Sequence, residues 1–166
     1  MQMKQYQYYY RVSKYNPSFR KDGKYAKNEW TSYSDIGGSF DGYVLTRKDY
    51  LRIEEQYIRF VLDLVDIGKC NELKIVYFES SRDSIWKVGQ TFSNKEVLID
   101  FLRDCMREKC WGQLEDDNLL FEPGYDFYIH IGCNLPQEVV RIIAVKNQLF
   151  LESWEPFAPV RTQENG

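Results

Sequence analysis

The chain has 166 residues and a formal net charge of −3 at pH 7, and 43% of its residues are hydrophobic and 28% are charged. A chain of this length buries about 70% of the surface of its unfolded state, so it can fold without a metal or a disulfide. These values exclude a disordered chain, a collagen-like chain and a cysteine-stapled mini-protein.

The first part of the chain is predicted to form two strands, a loop and a long helix. Residues 6–14 are rich in tyrosine and can alternate between two faces, which suits a strand. An Asp-Gly pair within 21–24 indicates a tight turn. We expect a short strand near 28–32 and then a loop. A helix is predicted to begin at Thr46, whose hydroxyl can cap the first turn, and to end at Gly68.

The middle of the chain is predicted to form a hairpin followed by a second helix. Residues 73–79 are dense in apolar and β-branched residues, as in a central strand, and 85–92 follow after a polar turn. Ser93 and Glu96 have the spacing of a capping box, which predicts the start of the second helix. We expect this helix to end near Gly112.

The last part of the chain is predicted to contain an acidic loop and two further strands. We expect the loop over 113–124. Residues 125–132 alternate between apolar and polar side chains, which indicates a half-buried strand. Pro136 favours a short helix over 136–145, but the β-branched residues of that run leave a strand as an alternative. Residues 148–153 are predicted to form the last strand.

The order of these elements predicts the fold class. Helices alternate with hairpins, which favours an α+β fold with a mostly antiparallel sheet and two main helices packed on one face. We expect a single α+β domain over 1–155 and a C-terminal tail over 156–166. The N-terminus lacks the apolar stretch of a secretory signal, and no apolar run approaches the roughly 20 residues of a membrane span. We therefore expect a cytoplasmic protein with no membrane association.

The histidine and cysteine residues argue against a metal site. His130 is the only histidine, and the cysteines lack the spacing of metal ligands. Cys105 and Cys110 are five residues apart, which would place them on different faces of a helix. We expect Cys70, Cys105, Cys110 and Cys133 to be free, mostly buried thiols, and we expect no metal and no cofactor.

No arrangement of residues in the sequence spells out a reaction. His130 and Cys133 are three apart on a strand, so they point to opposite faces and cannot form a nucleophile–base pair locally. A distant nucleophile that meets His130 in space would give a hydrolase-like enzyme, and this alternative stays open. Glu29 and Asp35 are interpreted as turn-capping and ion-paired carboxylates rather than as a catalytic pair. We therefore predict no catalytic residues and no enzymatic activity.

The N-terminal segment combines aromatic rings with positive charge. Rings can stack on bases while Lys and Arg contact phosphate, so a nucleic-acid-binding protein is a second alternative. The sequence pI is about 5.3, whereas nucleic-acid-binding domains are usually basic, and we expect no nucleic-acid partner. The residues that motivate the alternative are Tyr8, Tyr9, Tyr10, Arg11, Lys14, Tyr15, Phe19, Arg20, Lys21, Lys24 and Tyr25.

One stretch of the sequence suggests a family. The run 9–17 (YYRVSKYNP), then Arg20, Gly23 and Tyr25, and the run 29–37 (EWTSYSDIG) resemble a group of small, uncharacterised bacterial proteins, mainly of Gram-positive bacteria. Some of these look like immunity proteins of polymorphic toxin systems. The resemblance is close over about the first 60 residues and carries no catalytic signature. It implies a cytoplasmic, non-enzymatic inhibitor that binds a cognate toxin.

We therefore predict that the chain binds another protein, with a toxin as the implied partner. Tyr, Trp and Arg are the commonest anchors of inhibitory interfaces, and ten of the 13 tyrosines lie in the first 57 residues. The acidic second half of the chain would suit a basic toxin surface. The predicted contact residues are Arg11, Tyr15, Arg20, Trp30 and Asp35.

Overall fold

The fold is an antiparallel sheet with helices on one face, described for residues 4–155 by a computed structural model. Within these residues the helices are α1 (Arg47–Ile67), α2 (Lys95–Met106) and α3 (Gln137–Lys146). The strands are β1 (Tyr8–Ser13), β2 (Arg20–Lys21), β3 (Lys24–Tyr25), β4 (Ser39–Phe40), β5 (Tyr43–Val44), β6 (Leu73–Glu79), β7 (Thr91–Phe92), β8 (Trp111–Glu115), β9 (Leu119–Pro123), β10 (Tyr128–Cys133) and β11 (Phe150–Ser153).

Seven of these strands form one antiparallel sheet in the order β11-β1-β10-β9-β8-β6-β7, and two short ribbons pair β2 with β3 and β4 with β5. The predicted α+β class with a mostly antiparallel sheet is confirmed. The two main predicted helices correspond to α1 and α2, and α3 is a third, shorter helix.

The core lies between the sheet and the helices. Ile131, Phe121 and Leu114 are opposite one another on β10, β9 and β8, and each is fully buried. Leu64 of α1 and Phe101 of α2 are equally buried in the same cluster. Because side chains alternate along a strand, the intervening residues point away from the helices.

Helix α1 forms where its capping signals predict it. The Thr46 hydroxyl accepts a hydrogen bond of 3.1 Å from the Asp49 N–H, and Gly68 follows the last turn. The solvent side carries an ion pair between Glu55 and Arg59, with 3.2 Å between the nitrogen and the oxygen. These local signals are sufficient because each connects residues within one or two helical turns.

The connection between β1 and α1 differs partly from the prediction. The turn at 21–24 is confirmed, since β2 and β3 pair around it and Gly23 has φ +76°. The predicted strand near 28–32 is wrong, because this stretch is irregular and ends in a short 3-10 turn. The Asp35 carboxylate accepts a 2.8 Å hydrogen bond from the Thr31 N–H, so a side chain takes the place of a strand partner.

The predicted hairpin in the middle of the chain is correct only for its first strand. Strand β6 matches 73–79, but it is second from the sheet edge rather than central. The predicted strand over 85–92 shortens to β7. The Gly89 N–H donates a 2.7 Å hydrogen bond to the Ile75 carbonyl from within a loop, so β7 pairs only with the first two residues of β6.

The start of α2 is shifted and its end is earlier than predicted. The cap is Asn94 rather than Ser93, because the Asn94 side chain accepts a 2.8 Å hydrogen bond from the Glu96 N–H. The helix ends at Met106, so the predicted end near Gly112 is wrong, and Gly112 lies within β8.

The predicted acidic loop over 113–124 is also wrong. Most of it forms the hairpin of β8 and β9, because Leu114, Leu119 and Phe121 supply a buried face that outweighs the acidic turn.

The early end of α2 has a second consequence. Cys110 lies beyond the helix and its Sγ is 3.5 Å from the Sγ of Cys105, so the prediction of different faces is wrong.

The structure decides between the helix and the strand predicted for 136–145. The 136–145 run is helical as α3, with Pro136 directly before its first turn. Strand β10 confirms most of 125–132, and β11 confirms most of 148–153. The predicted tail, 156–166, lies outside the described residues. Across the described residues, no helix has both the length and the apolar character to cross a membrane.

Candidate functional site

Within residues 4–155, one face of the sheet is not covered by any helix. Arg11 of β1 is opposite His130 of β10 on one side and Glu152 of β11 on the other, and His130 is opposite Glu122 of β9. These positions alternate with the core residues, so their side chains share the side away from the helices. We call this the open face, and it comprises Tyr9, Arg11, Glu122, Tyr128, His130 and Glu152.

An arginine cluster occupies the centre of the open face. The Glu152 carboxylate accepts from Arg20 at 2.7 Å and 2.9 Å and from Arg11 at 3.2 Å. Arg20 reaches over from β2 and also donates to the Tyr128 hydroxyl at 3.0 Å. The Arg11 guanidinium lies 4.9 Å from the centre of the Tyr128 ring. Two cations thus share one carboxylate and one ring.

The electrostatics of the cluster fix its charge state. Burial alone would raise the pKa of Glu152, but the hydrogen bonds from Arg20 and Arg11 outweigh burial and hold that pKa below its usual range. The bond to Glu152 likewise raises the pKa of Arg20. The cluster therefore stays a carboxylate with two guanidinium groups and carries one net positive charge at neutral pH.

His130 lies beside the cluster in an aromatic setting. Its ring centre is 4.3 Å from that of Trp154, and its Nδ1 is 4.0 Å from the nearer Glu122 oxygen, beyond hydrogen-bond distance. Burial lowers the pKa of His130, and the nearby Arg11 lowers it further. Burial also raises the pKa of Glu122. The imidazole is therefore neutral at pH 7.

The hydrolase alternative concerned a distant nucleophile that meets His130 in space, whereas Cys133 was predicted to point away from His130. Cys133 faces the core on the same strand and its thiol contacts the Leu135 carbonyl at 3.8 Å. The opposite orientation of the two side chains, which the alternation along the strand predicts, is therefore observed.

The structure brings two of the five predicted contact residues together. Arg11 and Arg20 meet at Glu152, and Tyr15 lies beneath them with its ring centre 4.9 Å from that of Tyr128. Tyr15 is only 2% exposed, so it supports the cluster and offers a partner almost no surface.

The other two predicted contact residues lie elsewhere. Trp30 is 6% exposed and packs on the helix side, with its ring centre 5.0 Å from that of Phe127. Asp35 caps the 3-10 turn before β4 through hydrogen bonds to the Thr31 and Ser32 N–H groups, at 2.8 Å and 3.1 Å. Trp30 and Asp35 therefore do not lie on the open face, and their role as contact residues stays a prediction.

A buried lysine is the feature that the sequence reasoning missed. The Lys14 amine donates to a Glu29 oxygen at 2.5 Å and to the Trp30 carbonyl at 2.7 Å, and it lies 4.0 Å from the centre of the Trp30 ring. Its side chain is 4% exposed. Burial lowers its pKa to about 8, although Glu29 opposes this. Tyr10 and Val12 face the core, and Lys14 continues their alternation along the chain. This alternation was the signal in the sequence that could have predicted the burial of Lys14.

Lys14 borders a small cleft of about 340 Å³ between α1 and the β1–α1 connection. Its other polar walls include Glu29, Asp49, Arg52, Gln56 and Gln148. Each sign of charge occurs twice among Lys14, Glu29, Asp49 and Arg52, so the cleft does not select an anion or a cation.

Comparisons with known proteins add no functional assignment. No protein-family model matches the chain, and neither a curated protein nor a solved structure matches it significantly. Within residues 4–155, no group of three or more His, Cys, Asp or Glu side chains is placed to hold a metal ion. A functional proposal therefore depends on the geometry of the described residues.

Proposed function

We propose that the chain is a non-enzymatic, cytoplasmic protein-binding domain that contacts its partner through the open face of the sheet. The observation that carries the proposal is the arginine cluster, in which Arg11 and Arg20 are fixed against Glu152 and Tyr128 on the face without helices. The resemblance of the N-terminal segment to immunity proteins makes a toxin our proposed partner.

The chemistry of the open face suits recognition of a protein. Arg, Tyr and Trp are over-represented among residues that dominate binding energy, and the face carries Arg11, Tyr128 and the adjacent Trp154. Arg11 and His130 are partly exposed, at 27% and 24% of their side chains, so they can be contacted and then buried.

The ion pairs would reduce the cost of binding. A free arginine loses rotamer entropy when a partner fixes it, about 0.5–1.5 kcal/mol for a side chain of this kind. Arg11 and Arg20 are already held by Glu152, so that cost is met during folding. Preorganised guanidinium groups also present their donors in a fixed geometry, which favours a partner with carboxylate or carbonyl acceptors.

The same contacts weigh against nucleic acid as the partner. Arg11, Lys14 and Arg20 carry much of the positive charge of the Tyr-rich segment, and each is paired with a carboxylate of this chain. Phosphate binding would have to displace Glu152 or Glu29 from these pairs. Phosphate contacts need unpaired cations, so the segment is less suited to nucleic acid than its composition indicates.

Affinity capture from the native host with matched variants tests the proposal. Arg20→Ala should weaken capture of a specific protein by at least about tenfold, as expected for a binding hot spot. Arg59→Ala is the control, because its side chain is 67% exposed on α1, on the other side of the molecule. Equal capture by the wild type and the Arg20 variant would contradict the assignment of the open face.

The toxin assignment needs a functional measurement. The captured protein is expressed in a sensitive host with and without this chain, and growth is followed. We expect the partner alone to arrest growth, the wild-type chain to restore it and Arg20→Ala to restore it less. A captured partner that does not affect growth would leave protein binding in place and remove the toxin.

A further inference from the structure

Two thiols of the core lie in contact at the end of α2. Cys105 is in the last turn of the helix and Cys110 is directly before β8, and their Sγ atoms are 3.5 Å apart. A disulfide needs an Sγ–Sγ distance of about 2.05 Å, so the two sulfurs must approach by about 1.5 Å. Side-chain rotation at two neighbouring positions can supply a movement of that size.

One member of the pair can be reached from solvent. Cys110 lines an open cleft of about 660 Å³ whose walls include Glu79, Glu108, Trp111 and Tyr125. Cys110 is 8% exposed, whereas Cys105 behind it is 1% exposed. A small, uncharged oxidant that enters the cleft therefore meets Cys110 first.

We propose that Cys105 and Cys110 form a disulfide when the protein encounters hydrogen peroxide, which makes the pair a site of reversible oxidative modification. In the first step the Cys110 sulfur attacks a peroxide oxygen, the O–O bond breaks, and a sulfenic acid and one water are formed. In the second step the Cys105 sulfur attacks the Cys110 sulfur and releases the second water. Two thiols lose two protons and two electrons in total, and peroxide is reduced to two waters.

The position of Cys105 favours the second step over further oxidation. Its sulfur is already in contact with the sulfur that it must attack, which gives a high effective concentration. The hydrogen bond with Cys110 and burial raise the pKa of Cys105 well above its usual value, so Cys105 is not the thiol that peroxide oxidises first. The sulfenic acid is thus captured inside the protein before it reaches the sulfinic state.

The test uses a full-length variant that keeps only this pair, Cys70→Ser with Cys133→Ser. After peroxide treatment at pH 8 and quenching, free thiols are counted in denaturant and the protein is digested with trypsin. Cleavage after Arg103, Arg107, Lys109 and Arg141 places Cys105 in the peptide 104–107 and Cys110 in 110–141. We expect both thiols to disappear, the two peptides to be cross-linked with the loss of two hydrogens, and dithiothreitol to restore both thiols.

Three results would overturn the proposal. They are two free thiols that persist after treatment, oxidation of either cysteine to sulfinic or sulfonic acid without a cross-link, and a cross-link accompanied by loss of the far-UV circular dichroism spectrum. The last result would show that the pair forms only in unfolded protein.

Two further proteins serve as comparisons. The protein with all four cysteines should lose two of its four free thiols and cross-link 104–107 to 110–141 through Cys110, while Cys133, which lies in the same peptide, keeps its free thiol. Adding Cys105→Ser to the pair-only variant leaves Cys110 without its partner and should abolish the intramolecular cross-link. A wild-type disulfide that joins other cysteines and leaves these two free would contradict the assignment.

Discussion

The buried amine of Lys14 should make the stability of the protein depend on pH in a defined direction. The folded state lowers the Lys14 pKa from its ordinary value of 10.5 to about 8, because the amine is removed from water. Between these two pKa values the unfolded chain binds more protons at Lys14 than the folded chain does. The contribution of Lys14 to the free energy of unfolding therefore rises with pH across this window and is lost again as the pH falls through 8.

The two pKa values give the size of the effect. Between pH 7 and pH 9.5, Lys14 adds about 2 kcal/mol to the free energy of unfolding. Three thiols act in the opposite direction over the same range. Burial raises the pKa of Cys70 and Cys133, and the contact with Cys110 raises that of Cys105, so each stays protonated after the unfolded thiol ionises near 8.5. The total stability can therefore fall while the Lys14 contribution rises.

A difference between two proteins isolates the lysine. Lys14→Met keeps most of the length of the side chain and removes the titrating group, while the cysteines are common to both proteins. Urea unfolding is followed by tryptophan fluorescence at pH 7, 8 and 9.5. The wild type should gain about 2 kcal/mol relative to Lys14→Met between the extremes.

Lys48→Met makes the same chemical change at an exposed position of α1, and its pH dependence should match that of the wild type. A difference between the wild type and Lys14→Met that stays constant within about 0.5 kcal/mol, or that shrinks as the pH rises, would refute the reasoning from burial.

Two further predictions concern stability, and thermal unfolding measures both. Arg107→Met should cost about 3 kcal/mol, because Glu54 is 3% exposed and loses its bidentate partner, whereas Arg103→Met at a 40% exposed position should cost less than about 1 kcal/mol. Equal losses would contradict this ranking. Gly124→Ala should cost about 2 kcal/mol, because a Cβ would overlap the Tyr128 carbonyl, and an unchanged melting temperature would show that the turn relaxes freely.

Elements whose signals lie close together in sequence could be predicted. Helix α1 has its cap at Thr46, its stop at Gly68 and its apolar period between them, so every signal falls within two dozen residues. Strand β6 needed only its own composition. The end of α2 was harder to predict, because neither a glycine nor a proline lies in the four residues between Met106 and the start of β8 at Trp111.

The β8–β9 hairpin shows how composition can conceal a pattern. Its turn contains Asp116 and Asp117 after Glu115, and this acidic run dominates any short window. The strands are identified instead by Leu114 and Phe121, which are opposite each other and completely buried. Apolar alternation on both sides of a polar turn therefore predicts a hairpin better than the average charge predicts a loop.

The arginine cluster could not be assembled from sequence alone. Glu152 lies 141 residues after Arg11 and 132 after Arg20, and only the pairing of β11 with β1 brings it to them. The sequence pattern selected the two arginines by their residue type. It could not predict that Tyr15, which was selected in the same way, is buried by the fold.

Arg11 and Lys14 lie in opposite environments because side chains alternate between the two faces of a strand. Tyr10 and Val12 face the core, so the odd position of Arg11 places its charge on the open face and the even position of Lys14 places its amine inside. A buried charge is costly unless other groups stabilise it. For the Lys14 amine these groups are the Glu29 carboxylate and the Trp30 ring. The alternation along β1 thus places the charge of Arg11 on the partly exposed open face and the charge of Lys14 inside the protein.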